Sequence, residues 1–408
     1  MRSSPDIALT FLRWKGVHAV FHRGYWLVAS LYLVVDAELT AFQLVFIGTA
    51  QGVIAVAVEV PAGVVADTMG RKKSLVAAHV LMGTGMLLTG LTTDFPLLVA
   101  TQMLWGSAWT FVSGADVAWV TDELDDPVRI DRVLAASARY QALGSACGLI
   151  AFGAFAWFAD RELAIVASGA ATIALGVYVH ARFPERNFTP LTSRRWQGGL
   201  DTLRIGAQLA RNDRVVVLLF GATFLVNGGS EIFGRLYAKR LVDLGFPTNP
   251  DPIVWYTALG IGALLVAAVA VRAVEARIAG AQVARTTYGA ACLLGALGMI
   301  LLAAAPDPLT ASIGVLVVSG VSLSITRVVG SIWLNRQVPS DVRATVHSFL
   351  AQAEYLGEIV CGFGLAIVAS TAGAPASIVG GASLLVIAGI AVLRAPHDRH
   401  VEPDPESS

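Results

Sequence analysis

Long apolar runs separated by short polar breaks cover almost the whole chain, and twelve of them approach or exceed the roughly 20 residues a membrane-crossing helix needs. They lie at residues 15–36, 40–66, 74–93, 95–121, 133–158, 161–183, 214–238, 253–274, 284–305, 308–335, 342–370 and 374–395. The runs lack the strict alternation of a lipid-facing barrel strand, so they predict helices. The longest polar stretch, residues 184–213, divides them six and six. The expected fold is an all-α polytopic membrane protein of two six-helix bundles, residues 1–183 and 214–408, joined by a linker at 184–213. Within the linker, Leu200, Leu203, Ala207 and Ala210 recur at helical spacing near Arg194, Arg195, Arg204 and Arg211. This pattern predicts an interfacial amphipathic helix, with a plain solvated linker as the alternative.

Composition narrows the class. Of 408 residues, 55% are hydrophobic and 14% charged, against about 25% charged in an ordinary soluble protein; mean hydropathy is +0.67. So little charge does not coat a water-soluble surface of this size. The 40 glycines suit close helix packing in lipid. If both termini are cytoplasmic, 22 of the 29 Lys and Arg fall on cytoplasmic segments and only Arg161, Lys239 and Arg240 outside, which fits the positive-inside rule. A multi-pass protein of the cell (inner) membrane is expected, with its first span retained rather than cleaved. Cys147, Cys292 and Cys361 fall inside spans with no C-x-x-C pattern, and His18 and His22 form H-x-x-x-H without a third ligand, so no metal is expected.

Between the second and third runs lies Gly63-Val-Val-Ala-Asp67-Thr-Met-Gly70-Arg71-Lys72-Lys73, a charged turn with two glycines. Just before it stands Glu59-Val-Pro61-Ala-Gly63, where Pro61 has no N–H to give the carbonyl of Ala57 and so should bend the second span. The pattern G-x-x-x-D-x-x-G-R-K-K at this place resembles the signature loop of the major facilitator superfamily of transporters. Glu59-x-Pro61-x-Gly63, Ser113-Gly114-Ala-Asp116-Val-Ala-Trp119-Val-Thr-Asp122 and Arg343-Ala344-Thr345 resemble stretches of its bacterial drug-efflux-like members. The resemblance implies that Arg71 pairs with Asp122 at the inner end of span four and helps latch the outward-open state. It makes Gly63, Asp67, Gly70, Arg71, Lys72 and Asp122 a conformational gate, and it implies that spans one, four, seven and ten line the cavity. The fifth span departs from the antiporter pattern: Gly144 to Gly153 lacks the proline of G-P-x-x-G-G.

A faint internal repeat sets Pro127, Arg132 and Gly144 against Pro339, Arg343 and Gly357. Charges inside spans are costly, about 2.5–3.5 kcal/mol on insertion scales, and mark functional candidates. Trp105, Trp109 and Asp116 are spaced to share one helix face, a surface for an aromatic or cationic substrate; the alternative pairs Asp116 with Arg139. Glu231 and Arg235 stand four apart and can satisfy each other. His347, Glu354 and Glu358 share a face of span eleven. Proton-coupling candidates are Asp116, Glu354, Glu59 and Glu358; substrate-binding candidates are Arg23, Trp105, Trp109, Asp116, Arg139, Glu231 and Arg327.

These features predict a secondary transporter working by alternating access. Its first-choice activity is proton-coupled export of a hydrophobic or cationic small molecule. Uptake of a small organic anion or metabolite by proton symport is the alternative, since Arg23, Arg139 and Arg327 offer anion contacts; a non-transporting receptor or scaffold is the alternative of another class. No G-x-x-x-x-G-K-[ST] loop is present, so an ion gradient rather than ATP or a cofactor is the expected energy source. The seven histidines are scattered, which argues against an enzyme. The expected partners are the substrate and membrane lipid, with no nucleic acid and a monomeric chain.

Overall fold

The computed structural model describes residues 6–190, 214–275, 277, 278, 280–337 and 343–394. Every regular element among them is a helix. The first half comprises α1 (Ile7–Val35), α2 (Ala41–Met69), α3 (Arg71–Thr89), α4 (Phe95–Val112) continuing into α5 (Ala115–Leu124), α6 (Pro127–Phe158) and α7 (Arg161–Arg182). The second comprises α8 (Arg214–Asp243), α9 (Pro252–Glu275), α10 (Ala281–Ala304), α11 (Pro308–Val315), α12 (Leu323–Gln337) and α13 (Arg343–Arg394). A π-helical turn, Leu316–Ser322, joins α11 to α12 within one crossing. Gly373, with φ 82°, folds α13 into two antiparallel arms, and Ser377 Oγ donates to the Leu365 carbonyl across them at 2.9 Å. The molecule is thus a twelve-span bundle of two six-span halves. The linker helix expected in 184–213 lies outside the described residues.

Helix starts follow simple capping chemistry. Asp6, Asp94, Asp126, Asp160 and Asp307 each accept a backbone N–H from the first turn of the helix they precede, worth about 1 kcal/mol apiece. Pro96, Pro127 and Pro308 follow in the first turn, where no N–H is needed. The Thr310 hydroxyl and backbone donors hold the Asp307 carboxyl below the usual carboxylate range. These caps move two boundaries. α1 begins at Ile7 rather than 15, and α6 at Pro127 rather than 133, so Lys15 lies two turns inside a helix rather than before it.

Eight helices are long and apolar enough to cross a membrane by length and composition alone. α1, α3 and α4 are not among them because polar side chains lower their hydropathy: His18, His22 and Arg23 on α1, Lys72 and Lys73 on α3, and Gln102 on α4. Gln102 of α4 donates to Tyr25 of α1 (2.7 Å) and Thr89 of α3 (3.0 Å), and Thr89 donates to Thr101 (2.9 Å).

The halves repeat one close approach. Gly144 of α6 packs on the Gly16 carbonyl of α1, and Gly357 of α13 on the Phe224 carbonyl of α8; a Cβ on either would sit 2.1 Å from that oxygen. Hence α6 lies along α1 and the first arm of α13 along α8.

The face where α1 begins is called near, and the opposite one far. Contacts between the halves concentrate toward the far face. Arg161 at the start of α7 holds Asp36 of α1 with two bonds (2.6 and 2.9 Å) and reaches Asp251 of the second half at 3.2 Å. Gly153 of α6 abuts Thr257 of α9. Antiparallel α2 and α13 touch at Thr49 with Gly362, Gly52 with Ile359, and Glu59 with Gln352. One turn nearer, a Cβ on Gly63 would meet no atom of the described residues within 4 Å. Toward the near face, the contacts named between α2 and α13 end at Glu59.

Candidate functional site: a gate and a cavity between two halves

The residues expected to form a gate lie at the near face, on α2, α3 and α5, beside the segment after α7. α2 runs unbroken to Met69, and only Gly70 interrupts it, at φ 121°. The three cations expected in a turn therefore form the first turn of α3. Asp67 and Arg71 become ion-pair partners four residues apart, while Arg71 Nε lies 3.7 Å from Asp122 Oδ2. The expected Arg71–Asp122 contact is thus the looser of two. Asp67 serves Arg71 as well as lying near the positive start of α3, because continuous helix across 67–69 brings the two side chains together. The Lys72 N–H donates to Glu185 Oε1 at 2.8 Å, and Glu185 fills the space where a Cβ on Gly70 would sit. Glu123 accepts from the N–H groups of Arg186 (2.6 Å) and Asn187 (3.1 Å).

The helix expected to carry Trp105, Trp109 and Asp116 is broken: Gly114, at φ 78°, separates α4, with the two tryptophans, from α5, with Asp116. Asp116 does not pair with Arg139: its partner is Lys15 of α1, with side-chain exposures of 8% and 17%. The ammonium also lies 5.6 and 5.3 Å from the ring centres of Phe11 and Trp14. Arg139 is exposed, and no hydrogen bond or ion pair holds it among the described residues.

Trp105 and Trp109 instead stack on each other, 5.8 Å apart and 11° from parallel. His22 lies 5.5 Å from both, and Trp26 meets Trp105 edge-on at 5.1 Å. His18, His22 and Trp26 repeat every four residues on α1, so the first half presents an aromatic wall. His22 Nε2 and Trp105 Nε1 are buried in it with no hydrogen-bond partner among the described residues. His18 also lies 5.4 Å from His79, whose Nδ1 donates to the Leu75 carbonyl (2.6 Å) while Nε2 accepts from Trp14 (3.1 Å). No group of three metal-ligating side chains occurs among the described residues.

Arg235 of α8 roofs this wall. Its Nε donates to Glu231 (2.7 Å), its Nη2 to Gln51 of α2 (2.6 Å), and its guanidinium lies 5.4 Å from the Trp26 ring centre. Glu231 and Arg235 are therefore more than a self-satisfied pair, because the arginine also ties the second half to the first. Glu358 of α13 lies within electrostatic range of both. Arg23 is exposed on α1 and interacts electrostatically with Tyr237 of α8. Glu59 accepts from Gln352 through one oxygen, and its Oε2 has no partner among the described residues.

Below the roof the second half holds a polar cavity of about 200 Å³. Asn227 and Ser230 of α8, Thr326 and Arg327 of α12, and His347 and Glu354 of α13 line it. His347 lies at its near end, 3.0 Å from Asn335. α1 and α8 both run from near to far face and touch at Trp26 and Arg235. His22 and Asn227 therefore sit about 6 and 12 Å below that contact, at 1.5 Å per residue.

The sequence profile of the Major Facilitator Superfamily matches residues 17–362. The chain belongs to this superfamily. Solved structures of other members share its fold. A nucleoside transporter, NupG, superposes with a TM-score of 0.76 at 13% identity, covering 95% of this chain and 98% of its own. A D-xylose-proton symporter gives 0.71 at 13%, covering 95% and 97%. A bacterial homologue of the human lysosomal transporter Spinster, inward-facing and unoccupied, gives 0.72 at 14%, covering 96% and 97%. No curated protein sequence matches the chain. As a superfamily member it is a multi-pass membrane transporter and not an enzyme.

Sequence reasoning passed over several residues that organise this transporter. Lys15 reads as an orientation signal because its partner is 101 positions away. Gln51 is an amide deep in an apolar run, a second one after Gln43 near its start, and that is the signal that marks it. Asp36, Arg161 and Asp251 read as loop charges, and nothing local shows that they meet.

Proposed function

We propose that the protein is a proton-coupled transporter of a small molecule with a flat unsaturated ring and a polar, charge-bearing end. The ring lies against Trp105, Trp109 and His22, where His22 Nε2 and Trp105 Nε1 are left to hydrogen-bond it. The polar end enters the second-half cavity, where Arg327 and Glu354 offer one charge of each sign beside Asn227 and Ser230. A nucleoside, the cargo of one structural neighbour, has the flat ring and the polar end but carries no charge there. Because Asp116 is held by Lys15, the aromatic wall has lost the carboxylate that favoured a purely cationic cargo.

The observation that carries the coupling is at the roof, where Glu231 holds Arg235 at 2.7 Å and a second carboxylate, Glu358, lies within electrostatic range of both. A proton on Glu358 leaves a neutral Glu231–Arg235 pair, free to hold Gln51 and Trp26 and keep the far face shut. Loss of that proton adds a second anion competing for Arg235, and it loosens the tie to the first half. The other groups facing this site are Glu354 and Tyr355 on α13 and Glu59 on α2. The excess of Lys and Arg on near-face segments supports a cytoplasmic near face. The arginines Arg23 and Arg327 favour an anionic group on the cargo, and with it symport uptake over export.

Proteoliposomes loaded with candidate nucleosides, nucleobases and aromatic carboxylates test the reading. Glu358→Gln should retain substrate exchange but lose accumulation driven by a pH gradient. Gradient-driven accumulation at the unmodified rate in Glu358→Gln would remove the coupling site. Absence of flux for every ring-bearing compound, with flux for an aliphatic cation, would remove the cargo class in favour of the efflux activity the motifs resemble.

A further inference from the structure

A cavity of about 560 Å³ lies at the near end of α3 and α7, away from the transport path. Lys72, Lys73 and His180 line its rim, and Val76, Ala77 and Val80 its floor, with Phe183, Pro184 and Glu185 closing one side. α3 and α7 pack on helices of their own half, so this groove opens outward to the bilayer and not toward the second half. Lys73, His180 and Val80 are exposed. No hydrogen bond or ion pair engages the side chains of Lys72, Lys73 or His180 among the described residues. The one acid in the lining, Glu185, is already engaged by the Lys72 N–H at 2.8 Å.

We propose that this groove binds an anionic phospholipid of the near leaflet. The phosphate diester sits between Lys72, Lys73 and His180, and one acyl chain runs along Val76, Ala77 and Val80. The dimensions agree with that occupant. From Lys72 to Val80 is eight residues, about 12 Å along the helix, which carries the groove from headgroup level into the hydrocarbon. Cations at the headgroup level each contribute about 1 kcal/mol toward an anionic lipid. A soluble phosphate has no use for the apolar floor. Bound there, the lipid stiffens the first turn of α3, which also carries Arg71 of the gate, so leaflet composition bears on gate opening.

Native mass spectrometry of the detergent-purified full chain tests this, with palmitoyl-oleoyl phosphatidylglycerol as probe and phosphatidylcholine of the same chains as control. The glycerol lipid should bind about tenfold more tightly than the choline lipid. Lys73→Gln with His180→Gln should erase that preference, at about threefold per cation, with no change in thermal unfolding of the lipid-free protein. Lys73→Arg with His180→Lys should keep it. Ala77→Trp, which fills the floor, should weaken both lipids. Equal binding of the two lipids, or an undiminished preference in the Gln pair, overturns the proposal. So does displacement of the glycerol lipid by excess inorganic phosphate, which would mark a simple anion site.

Discussion

Lys15 and Asp116 form an enclosed ion pair between α1 and α5, and each is the other's main compensation for leaving water. Removing one partner of such a pair costs about 3–5 kcal/mol, because the remaining charge stays buried alone. Asp116→Asn and Lys15→Met should each lower the thermal unfolding midpoint in detergent. The double variant should lose clearly less than the sum. Additive losses would show that the two side chains do not depend on each other. At the gate, Arg71 is shared unequally between Asp67 and Asp122. Asp67→Asn should therefore speed amide hydrogen exchange in the first turn of α3 more than Asp122→Asn. Exchanging the charges of Arg71 and Asp122 should not restore protection, since it places a second carboxylate beside Asp67. Full restoration by the exchange would make Asp122 the dominant partner.

Helix breaks decide which side chains share a surface. Gly114 stands in the left-handed region, where a Cβ is strained. Gly114→Ala should cost about 1 kcal/mol in unfolding measurements, and an unchanged midpoint would mean that the α4–α5 break relaxes without penalty. In the sequence, Ser113-Gly114 inside an apolar run looks like ordinary small-residue packing, so the break between Trp109 and Asp116 was not legible. The π-helical turn was equally hidden. Leu316 to Ser322 has no marker residue, yet it sets the register that aims Thr326 and Arg327 into the cavity. By contrast, the Gly144 and Gly357 correspondence was legible as a repeat, because close backbone approach admits only the smallest residue.

Opening at one face and closure at the other are properties of the assembled halves. On the far side Arg161 bridges Asp36 to Asp251, a rim contact worth about 1 kcal/mol. Arg161→Gln should shift the population toward far-open roughly fivefold, read as a longer distance between spin labels at Glu38 and Thr248. An unchanged distance distribution would mean that Gly153–Thr257 packing and the Arg235 roof hold that face without the latch. On the near side, Gly63 lies on the α2 face that meets α13 at Gly52 and Glu59, and no atom of the described residues lies within 4 Å of a Cβ built there. Gly63→Trp should hold the near face open, giving persistent labelling of a near-face cysteine under conditions in which the unmodified transporter becomes protected.

The twelve crossings, their six-and-six division and the location of the signature loop are determined by the sequence itself. The physical reason is that membrane insertion is decided span by span, by hydrophobicity summed over about 20 neighbouring residues. What only the tertiary structure decided is the partner of each buried charge and the direction in which the cavity opens. Lys15 meets Asp116, and Arg235 meets Gln51 and Trp26, through helix registers and breaks set by packing between segments far apart in the chain. A charge inside a span announces that it needs a partner, while the choice of partner depends on which helices lie beside it.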